Sequence, residues 1–112
     1  MEERRKYIRI PEHSQIIYKV IPEEKAREHQ IRDISQGGIK FLVNKFIPKG
    51  SHLRIKITFP KTFFTIEALV ELMWVREVPS IEQYEVGVQF IDIPPKAIEH
   101  LVKYIQVFLT LR

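Results

Sequence analysis

A chain of 112 residues with 45% hydrophobic and 29% charged side chains fits one small module with a single core, not a disordered tract. The net charge of +4 favours anionic partners, yet it falls short of a polycationic nucleic-acid tail. With no cysteine, disulfides and thiol chemistry are excluded, which fits a reducing, cytoplasmic compartment.

Pro11 blocks a helix, so residues 1–12 read as a flexible basic arm entering a domain of residues 13–112. Residues 14–21 place Ile16, Tyr18 and Val20 on one face of a strand. After the polar turn Pro22-Glu-Glu-Lys25, residues 27–35 form a second strand. Residues 39–43 alternate again, with Ile39, Phe41 and Val43 on one face, and Pro48-Lys-Gly50 turns the chain. Residues 53–59 alternate most cleanly: Leu53, Ile55, Ile57 and Phe59 against Arg54, Lys56 and Thr58. Residues 63–76 predict a long strand with Phe64, Ile66, Ala68, Val70, Leu72 and Trp74 on one face. A strand of that length often needs a bend or bulge. Residues 82–91 point Tyr84, Val86, Val88 and Phe90 inward, while Gly87 leaves room for a close approach on the other face. The period then changes. Pro94-Pro95 opens a helix over 95–111, whose apolar stripe is Ile98, Leu101, Val102, Ile105, Phe108 and Leu109. Six short strands and one terminal helix predict an all-β-dominated fold, a six-stranded antiparallel barrel with a C-terminal α-helix. No repeat or low-complexity tract interrupts it, and no run approaches the roughly 18 apolar residues of a membrane span.

Two polar stretches stand out. In Asp33-Ile-Ser-Gln-Gly-Gly-Ile39, a carboxylate and a hydroxyl share a strand face, and paired glycines follow. A carboxylate accepts from N–H groups, and a hydroxyl donates to phosphate oxygens. The same residues also suit a plain hairpin turn in which Asp33 and Ser35 bond their own backbone. In the arm, Arg5 and Arg9 are separated by three residues, with Arg4 and Lys6 beside them. Guanidinium groups engage phosphates, or the O6/N7 edge of guanine, bidentately. A solvated basic tail has the same composition.

Taken together, Arg5-x-x-x-Arg9 followed by Asp33-x-Ser35-x-x-Gly38 resembles the two-part signature of the PilZ domain family, bacterial receptors for cyclic di-GMP. The 23 residues between Arg9 and Asp33, the segment Tyr84-Glu-Val-Gly-Val-Gln-Phe90 and Trp74 extend the resemblance over nearly the whole chain. It implies a PilZ-like barrel that binds cyclic di-GMP without catalysis and passes the signal to a downstream protein by ordering its arm. It implies that Arg5 and Arg9 engage guanine edges and phosphates, and that Arg4 adds stacking or phosphate contact. Asp33 then accepts from guanine N–H groups, Ser35 meets the phosphate or ligand edge, and Gly38 admits the backbone.

Enzyme readings lack support in the sequence. His13, His29, His52 and His100 are scattered, and none has His-Glu-x-x-His spacing. Ser35 lies outside any Gly-x-Ser-x-Gly elbow, and no Walker loop is present. No metal site or cofactor is expected. Two other functions remain open: a module of the same fold that binds a protein instead of nucleotide, and a small barrel for single-stranded nucleic acid. The second needs exposed aromatics interleaved with basic residues, whereas most aromatics here fall on the inward register. A monomer and a homodimer are equally compatible with the sequence.

Overall fold

The computed structural model describes residues 7–60 and 64–111. In chain order these form β1 (Arg9–Pro11), β2 (Gln15–Val20), β3 (Arg27–Ser35), β4 (Gly38–Val43), β5 (His52–Phe59), β6 (Phe64–Val78), β7 (Gln83–Asp92) and α1 (Pro95–Leu111). Every strand pairing is antiparallel. The strands run β3-β2-β5-β6-β7-β4, and β4 pairs back with β3, so the six-stranded barrel is closed and only β1 stands outside the ring. This is the expected fold with one strand added.

The added strand shares an edge with β2. Gln15 to Tyr18 pair with Gln30 to Arg27 of β3, and Arg9 to Pro11 pair with Ser35 to Asp33 further along the same strand. Between them, Glu12 N–H donates to Arg32 O at 3.2 Å, and Ile31 N–H donates to Ser14 O at 3.0 Å. β1 and β2 thus behave as one long strand broken at its middle, where Pro11 supplies no N–H. Ile10 is buried with the core, and Arg9 on the next position faces out.

Alternation explains most of the core. β5 follows a strict exposed–buried rhythm, and Leu53, Ile55, Ile57 and Phe59 face inward as expected. Ile16, Tyr18, Ile39, Phe41, Val43, Val86 and Val88 join them. β6 departs from its predicted rhythm. Its register with β7 shifts between Leu72 and Trp74, which leaves Met73 without a partner. The extra residue changes the phase: Val75 takes the inward place opposite Val86, and Trp74 turns to the outer surface. Trp74 is therefore not a core residue, and the inward position predicted for it is corrected.

α1 buries Ala97, Leu101 and Ile105, with Ile98, Val102, Phe108 and Leu109 half-buried. Its Tyr104 ring meets Phe59 edge-on, with centroids 4.7 Å apart. The Tyr104 hydroxyl donates to Glu12 Oε1 at 2.7 Å, and the Ser14 backbone N–H and hydroxyl both donate to Glu12 Oε2. Glu12 is buried, so these three donors offset the loss of water around its carboxylate. Burial, together with the hydrogen bond and charge of Glu12, pushes the Tyr104 phenol well above its ordinary range. The helix is tied by this bond to the base of the N-terminal segment. No helix among the described residues is long and apolar enough to cross a membrane.

Leu53 has no solvent exposure. Leu53→Ala should cost about 2–5 kcal/mol in urea denaturation, because it removes buried atoms and leaves a cavity. A loss under about 1 kcal/mol would show that the site collapses around the smaller side chain.

Candidate functional site

The polar residues singled out in sequence meet on the outer face where β1, β3 and β4 adjoin. β1 pairs Arg9 with Ser35 and Pro11 with Asp33, so the Arg9 side chain reaches diagonally to Asp33, where its Nη1 donates to Oδ1 at 2.5 Å. The other carboxylate oxygen is 3.1 Å from Lys40 Nζ on β4, the cross-strand partner of Asp33. Asp33 is therefore held between two cations drawn from two different strands. Arg4 and Arg5 lie outside the described residues.

Ser35 and Gly38 build the turn from β3 into β4. The Ser35 hydroxyl oxygen accepts from Gly37 N–H at 3.1 Å and from Gly38 N–H at 3.3 Å. This local bonding is what Ser does in tight turns. Ser35 is buried, so its geometry is locked. A Cβ on Gly38 would stand 2.1 Å from the Val88 carbonyl oxygen of β7, so the bare Cα is what lets β4 and β7 close here. A Cβ on Gly37 would strike the Tyr7 ring, which covers the turn from the N-terminal side. The sequence suggested that Ser35 and Gly38 either bind a ligand or form a turn. The structure shows the turn, whose outer rim carries Arg9 and Asp33.

Register extends this rim across the barrel. Asp33 pairs with Lys40, Lys40 with Gly87, and Gly87 with Trp74. Gly87 is the close approach anticipated in the sequence, and what approaches is the Trp74 indole: a Cβ there would lie 2.2 Å from Trp74 Nε1. One part of the ring rests on backbone, while Trp74 as a whole remains 41% exposed. The row thus runs from a carboxylate, through an amine, to an aromatic surface able to stack on a planar ring.

A second carboxylate lies beside this row. Glu85, two residues before Gly87 on the same face, has a side chain only 4% exposed. Arg76 of β6 donates to its Oε1, and Arg32 Nε of β3 reaches its Oε2 at 3.4 Å. Arg32 occupies the bulge where the β3–β4 register shifts between Ile31 and Asp33. Burial works against the ionised form of Glu85. The hydrogen bond from Arg76, the charges of Lys40 and Arg76 and the bond from Arg32 together outweigh it, and hold its pKa below the ordinary 4.5. Nothing in the sequence singled out Glu85, Arg32, Arg76 or Lys40. Their alternation marked them only as outward-facing, and cross-strand register gives them partners.

His13, His29, His52 and His100 are spread over separate elements, and among the described residues no group of three or more His, Asp or Glu is placed to hold a metal ion. The face holds cations, clamped carboxylates and a part-exposed indole, groups able to pair with anions, accept from N–H groups and stack on planar rings.

A closed six-stranded antiparallel barrel with one added strand and a C-terminal helix defines the class of fold. The family signature described as PilZ domain matches residues 3–106, and the chain belongs to that family. The fold is similar to that of the Bacillus subtilis inhibitor of motility MotI/DgrA, with a TM-score of 0.84 at 22% identity over 98% of this chain and 54% of that one. It is also similar to Escherichia coli YcgR, solved in complex with c-di-GMP, with a TM-score of 0.78 at 17% identity over 96% of this chain and 46% of that one. The K. pneumonia MrkH–c-di-GMP complex gives a TM-score of 0.73 at 17% identity over 97% of this chain and 52% of that one. The chain therefore spans about half the length of these three proteins. No curated protein matches its sequence.

The Glu85 arrangement has a pH signature. With its folded pKa below the unfolded value, its contribution is fully present above about pH 4.5 and is lost as pH falls through the folded value. Glu85→Gln should cost about 1.5–3 kcal/mol at pH 7 and flatten the fall in stability below pH 4.5, read by urea melts across pH. An unchanged acid slope would remove Glu85 as its source. Gly87→Ala should displace the indole, so the emission of the chain's single tryptophan should shift while the barrel stays folded.

Proposed function

We propose that this domain is a non-catalytic receptor that binds cyclic di-GMP through its N-terminal Arg segment and the Asp33–Gly38 turn. The observation that carries this reading is Arg9 on Asp33 at 2.5 Å, bridging 23 intervening residues, in a chain of the PilZ family. Related folds solved with c-di-GMP support it. The ligand offers two guanines and two phosphates. On this reading Asp33 accepts from guanine N–H groups, and Arg5 and Arg9 take guanine edges and phosphates. Arg4 adds a stacking or phosphate contact, Ser35, bonded within the turn, fixes the shape of the turn at the ligand edge, and Gly38 keeps the turn low enough for the ligand to approach. Trp74 supplies a stacking surface at the far end of the same row.

The proposed signal starts in the arm, residues 1–12, whose Arg9–Pro11 already pair with β3: ligand contacts to its arginines tighten the arm against the barrel. Any ordering the ligand imposes costs entropy, so contacts at both ends of the motif must contribute to binding. The structure supports one route outward from the arm. Glu12, three residues after Arg9, is bonded to Tyr104 of α1, so a change in β1 bears on the helix that would face a downstream protein. The reading implies a cytoplasmic domain, because the messenger acts inside bacterial cells.

Calorimetry with cyclic di-GMP, beside GTP, cyclic di-AMP and a short RNA, tests the proposal. Saturable binding of cyclic di-GMP alone is expected, with a change in Trp74 emission. A bidentate Arg–guanine contact is worth about 1–3 kcal/mol, so Arg5→Ala and Arg9→Ala should each weaken binding roughly 5- to 150-fold. Their thermal midpoints should stay close to wild type, because an exposed ion pair adds about 1 kcal/mol or less. No heat and no thermal shift with cyclic di-GMP would overturn the receptor reading in favour of a protein-binding barrel. Preferential RNA binding with steep salt dependence would overturn it in favour of a nucleic-acid barrel.

A further inference from the structure

The row that joins Asp33 to Trp74 contains one charged residue with no part in the reading above. Lys40 stands between the clamped carboxylate and Gly87, where the indole lies, and its side chain is 32% exposed. Its Nζ is bonded to Asp33 Oδ2, and it also faces the Glu85 charge.

Each Asp33 oxygen accepts from one cation, Oδ1 from Arg9 and Oδ2 from Lys40. Each Glu85 oxygen likewise meets one guanidinium, Oε1 that of Arg76 and Oε2 that of Arg32. Guanine presents two adjacent N–H groups on one edge, and a carboxylate that accepts both uses a lone pair on each oxygen. Those N–H groups then share the Asp33 charge with the cations already bonded to it, which weakens the hold on Lys40. Two arginines already neutralise Glu85, so the strongest uncompensated anion within the site is the one the nucleotide brings, its own phosphate. Lysine suits such an exchange, being a point charge on a flexible four-carbon stem. The surrounding charge agrees. Arg9, Arg32, Lys40 and Arg76 face Asp33 and Glu85, four cations against two carboxylates, and cyclic di-GMP brings two negative charges.

We propose that Lys40 is a phosphate-binding residue of this site, exchanging the Asp33 carboxylate for a ligand phosphate as guanine takes its place. The proposal rests on the cyclic di-GMP reading and adds a residue to it. In the free protein Lys40 stabilises Asp33 as a ready acceptor. In the complex it neutralises the charge that arrives with the base.

The test measures wild type, Lys40→Met and Lys40→Arg by calorimetry with cyclic di-GMP at low and high salt, with the ³¹P spectrum of the bound ligand alongside. Lys40→Met should weaken binding about tenfold, the scale of one hydrogen bond to a charged group. It should also flatten the salt dependence and move a phosphorus resonance, and Lys40→Arg should restore most of the affinity. Wild-type affinity in Lys40→Met would overturn the proposal. So would weaker binding with unchanged salt dependence and phosphorus shifts, because Lys40 would then serve only to position Asp33. If Lys40→Met melts early, the same three readings on Lys40→Gln decide. A wild type that binds no cyclic di-GMP overturns the receptor reading itself, and that result is distinguishable because it precedes any variant.

Discussion

Backbone pairing between β1 and β3 is what makes a basic N-terminal segment part of a surface. An arginine on a free tail samples a large volume and must be ordered at a cost on every encounter. Here Arg9 is fixed by ladder bonds on both sides of a buried Ile10, so its guanidinium starts beside Asp33. The edge of β3 that receives β1 is the same edge that receives β2, and the break between them falls between Pro11, which has no N–H to give, and Gln15, with single bonds from Glu12 and to Ser14 spanning it. The Ser35–Gly38 turn depends on the same arrangement, because its position along β3 is set by the residues opposite Arg9 and Ile10.

The two carboxylates of the outer face illustrate how burial divides roles among similar groups. Glu85 is almost fully enclosed, and its guanidinium partners are Arg76, opposite it on neighbouring β6, and Arg32, which reaches it from β3 across β4. It acts as a clasp over the barrel wall, and two arginines offset the cost of its desolvation. Asp33 sits at the rim with weaker enclosure, and its partners lie on a short strand and on a flexible lysine stem. Exchange of partners is easier there. The enclosed clasp holds three strands in register beside the more open one at the rim.

Legibility in the sequence followed the physics of each element. β5 and α1 were readable because one period runs through each without interruption. β6 was readable as a strand but not in its second half. A bulge changes which residues face inward, and no residue type marked Met73 as the extra one. Unbroken alternation puts Trp74 with the core, whereas Gly87 leaves room for a side chain on the outer face, and that side chain is Trp74. Asp33, Ser35 and Gly38 stood out because they are dense and local. Lys40 and Glu85 did not, since an outward lysine or glutamate on a strand is the ordinary solvated case. What distinguishes them is a partner on another strand, which is a property of register.

The bond between Glu12 and Tyr104 spans 92 positions of the chain. Contacts between residues so far apart in sequence close large loops, and they are formed late when a chain folds. During synthesis the base of the N-terminal segment has no helix to bond until residue 104 has left the ribosome. Asp33 and Lys40 are neighbours in one hairpin and meet early, whereas their row is complete only when β6 and β7 arrive with Trp74 and Gly87. The row from Asp33 to Trp74 is therefore among the last features the growing chain acquires, and a truncated product that stops before α1 would carry the signature residues without the bond that holds the segment's base to the helix.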